Sequence, residues 1–135
     1  MPQNPPVGSP RILARVTYDD VEAAATFLCG AFGFEEDERD RYLDERGKVV
    51  LTELRVLDSR IMIGMSGNHG LASPQRLGGC SQMLVVYVDE VDEHYARSVE
   101  QGGKIVLELN NAPWGDRRYE VLDCEGHRWG FHQRI

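Results

Sequence analysis

Side chains able to carry chemistry are concentrated near the end of the chain, in residues 113–132. Two short runs with strand character, residues 117–122 and 127–132, are separated by an Asp-Cys-Glu-Gly turn. Asp bonds its own downstream backbone and Gly supplies a positive φ, so this segment predicts a hairpin. Its His, Arg, Tyr and Trp side chains could bind a ligand, act in catalysis or serve the fold alone.

Each candidate in the predicted hairpin also has a structural explanation. His132 could act as a ligand or a base, but a histidine in a terminal strand is more often a surface or hydrogen-bonded residue. Arg117 and Tyr119 could bind an anionic or aromatic ligand, or they could form a cross-strand pair on an exposed sheet. Trp114 could stack on a ligand or pack in the core. The residue types alone leave these alternatives open.

The remaining reactive residues show no catalytic spacing. Cys29, Cys80 and Cys124 form no CxxC pair, which disfavours a disulfide framework and structural zinc and fits a reducing cytoplasm. No Ser/His/Asp or Cys/His arrangement indicates a nucleophile. We expect His69, in a Gly/Pro-rich stretch, and His94, on a helix, to be solvated.

Charge and hydropathy exclude several classes of partner. The chain has 22 acidic and 15 basic residues, a net charge of −7, which disfavours nucleic acid and anionic membranes. This charge is compatible with a cationic ligand, although net charge speaks chiefly to solubility. No apolar run approaches the ~20 residues of a membrane helix, and the start of the chain lacks a signal-peptide pattern. We therefore predict a soluble, cytoplasmic protein.

The elements that must position the candidate residues occur twice in the same order. Each half reads as a strand, a helix with an acidic start and a glycine stop, and three further strands. Asp19–Glu22 matches Asp89–Asp92, and Gly33 matches Gly103 at the same spacing. Matches in one order, each at an element boundary, predict an internal repeat.

The repeat predicts an α+β fold of two βαβββ modules. We expect a flexible leader at 1–10, a first module at 11–66, a linker at 67–79 and a second module at 80–135. The acidic run at 35–46 reads as a solvated edge strand whose charge blocks edge pairing.

The second module carries a specific motif. Residues 113–131, PWGDRRYEVLDCEGHRWGF, are similar to the WG-x-R…D-P-x-G-H-x-W-x-F ending of the vicinal oxygen chelate superfamily, which includes glyoxalase I, bleomycin-resistance proteins and extradiol dioxygenases. Residues 88–106 resemble its strand, helix and glycine stop, and residues 19–34 and 59–63 match more weakly. Cys124 replaces the usual Pro. The resemblance implies paired modules forming curved mixed sheets around a concave cavity, in a homodimer.

The resemblance also locates four metal-ligand positions, one in the first and one in the last strand of each module. Metal-dependent members place His, Gln or Glu there. In this chain these positions carry Leu13, Met62, Met83 and Gly130. None offers the oxygen or nitrogen donors that a hard divalent ion needs. We therefore expect no metal and no other cofactor.

Strand alternation supports this placement. Trp129 and Phe131 should pack under the helix, while Gly130 and His132 face the cavity. Gly130 then lacks a side chain because a ligand or neighbour fills its space, or because it marks a bulge. The same alternation gives a cavity wall with polar residues near its ends, comprising Met62, Met83, Val85, Tyr87, Arg15, Thr17 and Arg60.

We predict a metal-free small-molecule-binding protein that sequesters or shields against an apolar or aromatic compound, cationic ones included. The alternative is a metal-dependent glyoxalase-like lyase or isomerase, or a dioxygenase, with a rearranged site using His132 and Glu53 or Glu108. A third class is a subunit that only mediates assembly. The predicted ligand-binding residues are Leu13, Arg15, Met62, Met83, Tyr87, Trp114, Arg117, Tyr119, Gly130 and His132.

Overall fold

The helix signals in the sequence produce helices at the expected places in the computed structural model, which describes all 135 residues. Asp20 caps α1 (Val21–Phe32) by accepting a hydrogen bond from the Ala23 amide at 3.0 Å. The helix ends at Gly33, whose φ of 76° is left-handed and free of strain only for glycine. Local capping chemistry therefore sets both ends of this helix.

The chain divides into two compact units. The first comprises Met1–Cys29 and Gly33–Ser73. Its sheet has the order β1-β5-β4-β2, with β3 also paired to β4, and β1 runs parallel to β5. Its strands are β1 (Arg15–Tyr18), β2 (Glu35–Glu36), β3 (Tyr42–Leu43), β4 (Val49–Val56) and β5 (Ser59–Met65).

The second unit comprises Gly30–Phe32 and Pro74–Ile135. Its four-stranded sheet has the order β6-β9-β8-β7, in which β6 runs parallel to β9 and the other pairs are antiparallel. Its elements are α2 (Pro74–Leu77), β6 (Met83–Tyr87), α3 (Val91–Glu100), β7 (Lys104–Asn111), β8 (Asp116–Leu122) and β9 (Arg128–Arg134). The predicted mixed α+β architecture is confirmed, with α2 as an additional turn of helix where a linker was expected.

The core of the second unit follows the predicted alternation along β9. Trp129 and Phe131 are buried, and the Phe131 ring lies 4.8 Å from that of Phe32 and 5.5 Å from that of Tyr119. Helix α3 packs against β7, β8 and β9. The face of the sheet opposite α3 is therefore not covered by this helix.

A close approach after α3 requires glycine. The Gly103 amide donates to the Ser98 carbonyl at 2.7 Å. A Cβ at position 103 would lie 2.8 Å from a Val121 methyl group and 2.9 Å from that carbonyl. The glycine stop read from the sequence therefore also lets the chain pass close to β8.

The acidic run at 35–46 is more structured than a single solvated strand. It forms β2, a 3-10 turn (Glu38–Asp40) and β3. Glu36 accepts hydrogen bonds from Arg41 and from the Thr52 hydroxyl at 2.8 and 2.9 Å. The Arg41 bonds lower the pKa of Glu36 against the opposing effect of burial.

No helix in the structure is long and apolar enough to span a membrane.

Candidate functional site

One face of the second sheet carries an exposed apolar row. Met83, Val85 and Tyr87 of the edge strand β6 are 39%, 46% and 53% exposed. The register pairs Val85 with Gly130 and Tyr87 with His132, and paired residues of neighbouring strands point to the same face. We call the surface formed by these five residues the open face.

Asp116, the first residue of β8, is completely buried at the end of the open face. Its Oδ2 accepts hydrogen bonds from the Tyr87 hydroxyl at 2.6 Å and the Trp114 indole N–H at 3.1 Å. Oδ2 also lies 3.3 Å from His132 Nδ1. Oδ1 lies 3.2 Å from Arg134 Nε, close enough for an ion pair but without hydrogen-bond geometry. One carboxylate thus fixes three ring side chains.

The hydrogen bonds determine the charge of this carboxyl group. The Tyr87 hydroxyl, assisted by His132 and Trp114 and opposed by burial, lowers the pKa of Asp116. The same bond raises the pKa of Tyr87. Asp116 is therefore ionised and acts only as an acceptor.

His132 is buried beside this carboxylate, with 8% of its side chain exposed. Because an ionised carboxylate only accepts, Nδ1 must carry the hydrogen that faces Asp116. Nε2 is buried and has no hydrogen-bond partner. The ring meets Tyr87 edge to face with centroids 5.8 Å apart. In its neutral form the imidazole presents an unused acceptor, which can receive a hydrogen bond.

Trp114 presents an aromatic surface that is held in place. The side chain is 54% exposed, and its indole N–H is fixed by Asp116. The Arg118 guanidinium lies 4.7 Å from the ring centroid in a cation–π contact. Arg134 donates to the Trp114 carbonyl at 2.7 Å. The sequence left core packing open for Trp114, and its exposure argues against that explanation.

Gly130 lies in regular strand pairing. It pairs with Val85 of β6 and Glu120 of β8 in continuous register, so the bulge explanation is wrong. A Cβ at this position would lie 3.4 Å from His132 Nε2 and 3.5 Å from a Val85 methyl group. The missing side chain leaves space beside the unpaired nitrogen. Glu120, on the same face, is neutralised by Arg128 at 2.5 Å.

Two predicted ligand-binding residues lie elsewhere, on the opposite face of the sheet. Tyr119 is completely buried in the core, and burial raises the pKa of its hydroxyl. Arg117 donates to Asp92 at 2.9 Å and to Asn111 at 3.0 Å. Because Tyr119 is inaccessible and Arg117 is already paired, we remove both from the candidate set.

His94 is half-buried and hydrogen-bonded through both ring nitrogens, which corrects the expectation of a solvated residue. Its Nε2 donates to the Phe32 carbonyl at 2.9 Å, so its Nδ1 accepts from the Tyr119 hydroxyl at 2.6 Å in the neutral ring. Its ring centroid lies 4.1 Å from that of Phe131. Burial lowers the pKa of His94, and this histidine serves the core.

The first unit holds the remaining predicted residues. Leu13 precedes β1 and is partly exposed, while Arg15 and Met62 are register partners in β1 and β5. Arg15 donates to the Thr17 hydroxyl at 2.8 Å. Its guanidinium lies over Gly64, where a Cβ would come 2.7 Å from Cζ. The lack of a side chain at position 64 therefore allows Arg15 to lie flat on the sheet.

Comparison with known proteins places the chain in a family. The family model of the Glyoxalase/Bleomycin resistance protein/Dioxygenase superfamily matches residues 11–131. The chain belongs to this superfamily. The resemblance noted in the sequence is thereby confirmed.

Several proteins with solved structures share the fold. TioX from Micromonospora sp. ML1 is 28% identical with a TM-score of 0.72, covering 92% of this chain and 95% of TioX. TnmS3, an antibiotic binding protein from Streptomyces sp. CB03234, is 22% identical with a TM-score of 0.70, covering 91% and 93%. An uncharacterised protein of Mycobacterium bovis is 28% identical over 131 residues, covering 93% of this chain and 84% of that protein.

The residues that the sequence resemblance assigns to metal-ligand positions do not fit a metal ion. Leu13, Met62, Met83 and Gly130 provide no oxygen or nitrogen side-chain donor. No group of three or more His, Cys, Asp or Glu side chains is arranged to hold an ion. Of the substitute ligands considered, Glu108 accepts a hydrogen bond from the Tyr95 hydroxyl. We therefore derive no metal chemistry from this site.

Sequence reasoning missed Asp116, which organises the site. The strand predicted from the sequence begins at residue 117 and so leaves Asp116 outside it. The available signal was the alternation along β8, which puts Asp116 on the same side as Glu120, the partner of Gly130.

Proposed function

We propose that this protein binds an apolar or aromatic small molecule on the open face, without a metal ion. The observation that carries the proposal is the half-exposed row of Met83, Val85 and Tyr87 beside Gly130 and the buried His132. Ligand sites combine apolar walls with a few fixed polar groups, and this face has that composition. Binding would sequester the compound or shield its target from it.

The fixed aromatic side chains support an aromatic ligand. Tyr87 and Trp114 are each about half exposed and are both held by hydrogen bonds to Asp116. Exposed rings that are already immobilised lose little entropy when a planar ligand stacks on them. The antibiotic-binding neighbour TnmS3 has the same fold and is compatible with this proposal.

A metal-dependent lyase, isomerase or dioxygenase with a rearranged site remains the alternative. It would need about three donors around one point. His132 could supply one through Nε2, and its Nδ1 contact with Asp116 is one that metal-bound histidines also make, but no group of three His, Cys, Asp or Glu side chains is arranged to hold an ion. Purified protein should therefore retain no stoichiometric Zn, Ni, Mn or Fe after dialysis. Elemental mass spectrometry that finds one of these metals would favour the enzyme.

We further propose that the protein works as a cytoplasmic homodimer. β6 is an edge strand, and its Met83, Val85 and Tyr87 side chains form an exposed apolar row. Unpaired strand edges and exposed apolar patches both favour association between chains. Light scattering should give a mass near twice the 15.3 kDa of one chain. A mass near that of one chain at micromolar concentration would contradict the dimer but leave the binding proposal intact.

Binding can be tested with 2-methoxynaphthalene as an apolar aromatic probe. Titration followed by calorimetry should give saturable binding to the wild-type protein. Trp114→Ala should weaken it, because a stacking surface is lost. Tyr42→Ala is the matched control, since Tyr42 is an exposed aromatic residue of the first unit. Equal binding by both variants would count against a site formed by Trp114 and the adjoining open face.

A further inference from the structure

We propose that His132 Nε2 is the polar anchor of the open face, accepting a hydrogen bond from an aromatic ligand that carries a hydroxyl or N–H group. The inference deepens the proposed function and rests on it. It assigns the ligand class more narrowly, to phenols and aryl N–H compounds. It also assigns His132 the role of recognising the donor group of the ligand.

The first support is the way in which Asp116 fixes the imidazole. Asp116 Oδ2 lies 3.3 Å from Nδ1 and also accepts from Tyr87 and Trp114. A carboxylate with these donors around it orients the ring and selects the Nδ1–H tautomer. Nε2 is then the acceptor of the neutral ring, and its direction is set by the same contacts.

The second support is the unused nitrogen itself. Nε2 of His132 is buried and has no partner, although 92% of the side chain is removed from solvent. Folded proteins seldom leave a buried acceptor unpaired, because it has lost its hydrogen bonds to water. A ligand donor would supply the missing partner. Because Nε2 lost its hydrogen bonds to water when the protein folded, ligand binding carries no further desolvation cost at this atom.

The third support is the space at Gly130. A Cβ there would already touch His132 Nε2 at 3.4 Å and a Val85 methyl group at 3.5 Å. A larger side chain would therefore cover the nitrogen. Val85 lies on the edge strand and is 46% exposed, so its side chain can move to admit a ligand group. Gly130 thus preserves the route to Nε2.

The surrounding charges narrow the ligand further. Arg118 is the cross-strand partner of His132, and Arg134 pairs with Asp116. These guanidinium groups place positive charge near the anchor, while Glu120 is already paired with Arg128. The geometry therefore favours a neutral or weakly acidic donor, such as a phenol, over the cationic compounds that the net charge allowed.

The tautomer can be tested without any ligand. We expect ¹⁵N NMR of histidine-labelled protein at pH 8, above the range in which free histidine titrates, to show His132 with a protonated Nδ1 and an unprotonated Nε2. His132→Asn assigns the signals, because Asn retains a donor near the position of Nδ1 and lacks Nε2. A proton on Nε2 would overturn the inference.

Ligand recognition can be tested with a pair of matched probes. 2-Naphthol donates a hydrogen bond, whereas 2-methoxynaphthalene has the same ring system and cannot. At pH 8 the wild-type protein should bind 2-naphthol about tenfold more tightly, the factor expected for one buried hydrogen bond. Binding of 2-naphthol should also shift the ¹⁵N signal of His132 Nε2.

Two variants and two controls identify the source of the preference. His132→Asn should abolish it by removing Nε2, and Gly130→Ala should abolish it by covering Nε2. His69→Asn, at an exposed loop histidine, and Gly79→Ala, where a Cβ meets nothing within 4 Å, should retain it. Melting curves would show that all four variants fold. The Gly130→Ala result stands if His132→Asn does not fold.

The possible failures are distinguishable. Equal affinity of the wild-type protein for the two probes would overturn the His132 inference but leave aromatic binding intact. A preference that survives in both His132→Asn and Gly130→Ala would do the same. Failure of both probes to bind at millimolar concentration would remove the proposed function together with the inference.

Discussion

Removal of one hydroxyl group should destabilise the core of the second unit by a predictable amount. The Tyr119 hydroxyl contacts His94 Nδ1 and Ser98 Oγ, each at 2.6 Å. Tyr119→Phe preserves the ring beside Phe131 but leaves two polar groups without this partner. Each buried unsatisfied group costs ~1–3 kcal/mol. Because the Ser98 hydroxyl can rotate toward a helix carbonyl, we expect a total loss of about 2–4 kcal/mol in the free energy of unfolding.

The loss should depend on pH through His94. Burial lowers the pKa of His94 from its usual 6.5, so the unfolded chain binds this proton more readily than the folded one. Stability is therefore complete above pH 6.5 and falls as the pH drops toward the lower folded pKa. In the wild type, protonation of Nδ1 also removes the acceptor of the Tyr119 hydroxyl, so this contact can persist only if the hydroxyl turns its hydrogen away. The difference between wild type and Tyr119→Phe should consequently narrow between pH 7.5 and pH 5.5.

Urea denaturation followed by tryptophan fluorescence measures this directly, since Trp114 and Trp129 both lie in the second unit. The slope of the free energy against urea should stay unchanged. Tyr95→Phe is the matched control, because the Tyr95 hydroxyl bonds Glu108 in an exposed position; its effect should stay within ~0.5 kcal/mol. A Tyr119→Phe effect as small as that of the control, or one independent of pH, would refute the reasoning.

Three further substitutions test the terminal hairpin and the open face. Asp123→Asn should lower the free energy of unfolding, measured by urea denaturation, by ~1–3 kcal/mol. Asp123 Oδ2 accepts a hydrogen bond from the Trp129 indole N–H at 2.9 Å, and an amide N–H₂ in its place would oppose one donor to another. An unchanged denaturation midpoint would show that this bond contributes nothing. Asp116→Asn should loosen Trp114 and increase its quenching by acrylamide, and equal quenching would mean that the Asp116 contact does not hold the ring. Gly130→Glu should lower stability by a few kcal/mol and block 2-methoxynaphthalene, and intact binding would remove position 130 from the site.

The faces of the second sheet could be predicted because strand alternation is strict. Trp129 and Phe131 were assigned to the core and Gly130 to the other face, and the structure agrees. The same rule, extended along β8, would have put Tyr119 in the core and Asp116 on the open side. Asp116 is missed because the predicted strand starts one residue late, at Arg117, and Tyr119 is misplaced because alternation is not applied along that strand.

Other features could not be read from local patterns. Helix α3 has few apolar residues, and one of them, Val99, is 48% exposed. Its fully buried residues are Val91 and Ser98, and the half-buried His94 joins Ser98 in hydrogen bonding to the Tyr119 hydroxyl of β8. The contacts of Asp116 with Tyr87 and His132 likewise join residues far apart in sequence. Such partners are known only once the strands are paired.

The membership of Phe32 in the second unit has a consequence for truncation of the chain. Its ring lies 4.8 Å from Phe131 and 5.7 Å from Trp129, and its carbonyl receives the His94 hydrogen bond. A fragment beginning at Pro74 would contain the whole second sheet but lack this aromatic residue and this acceptor. Truncation before Pro74 would therefore leave the second half without part of its own core.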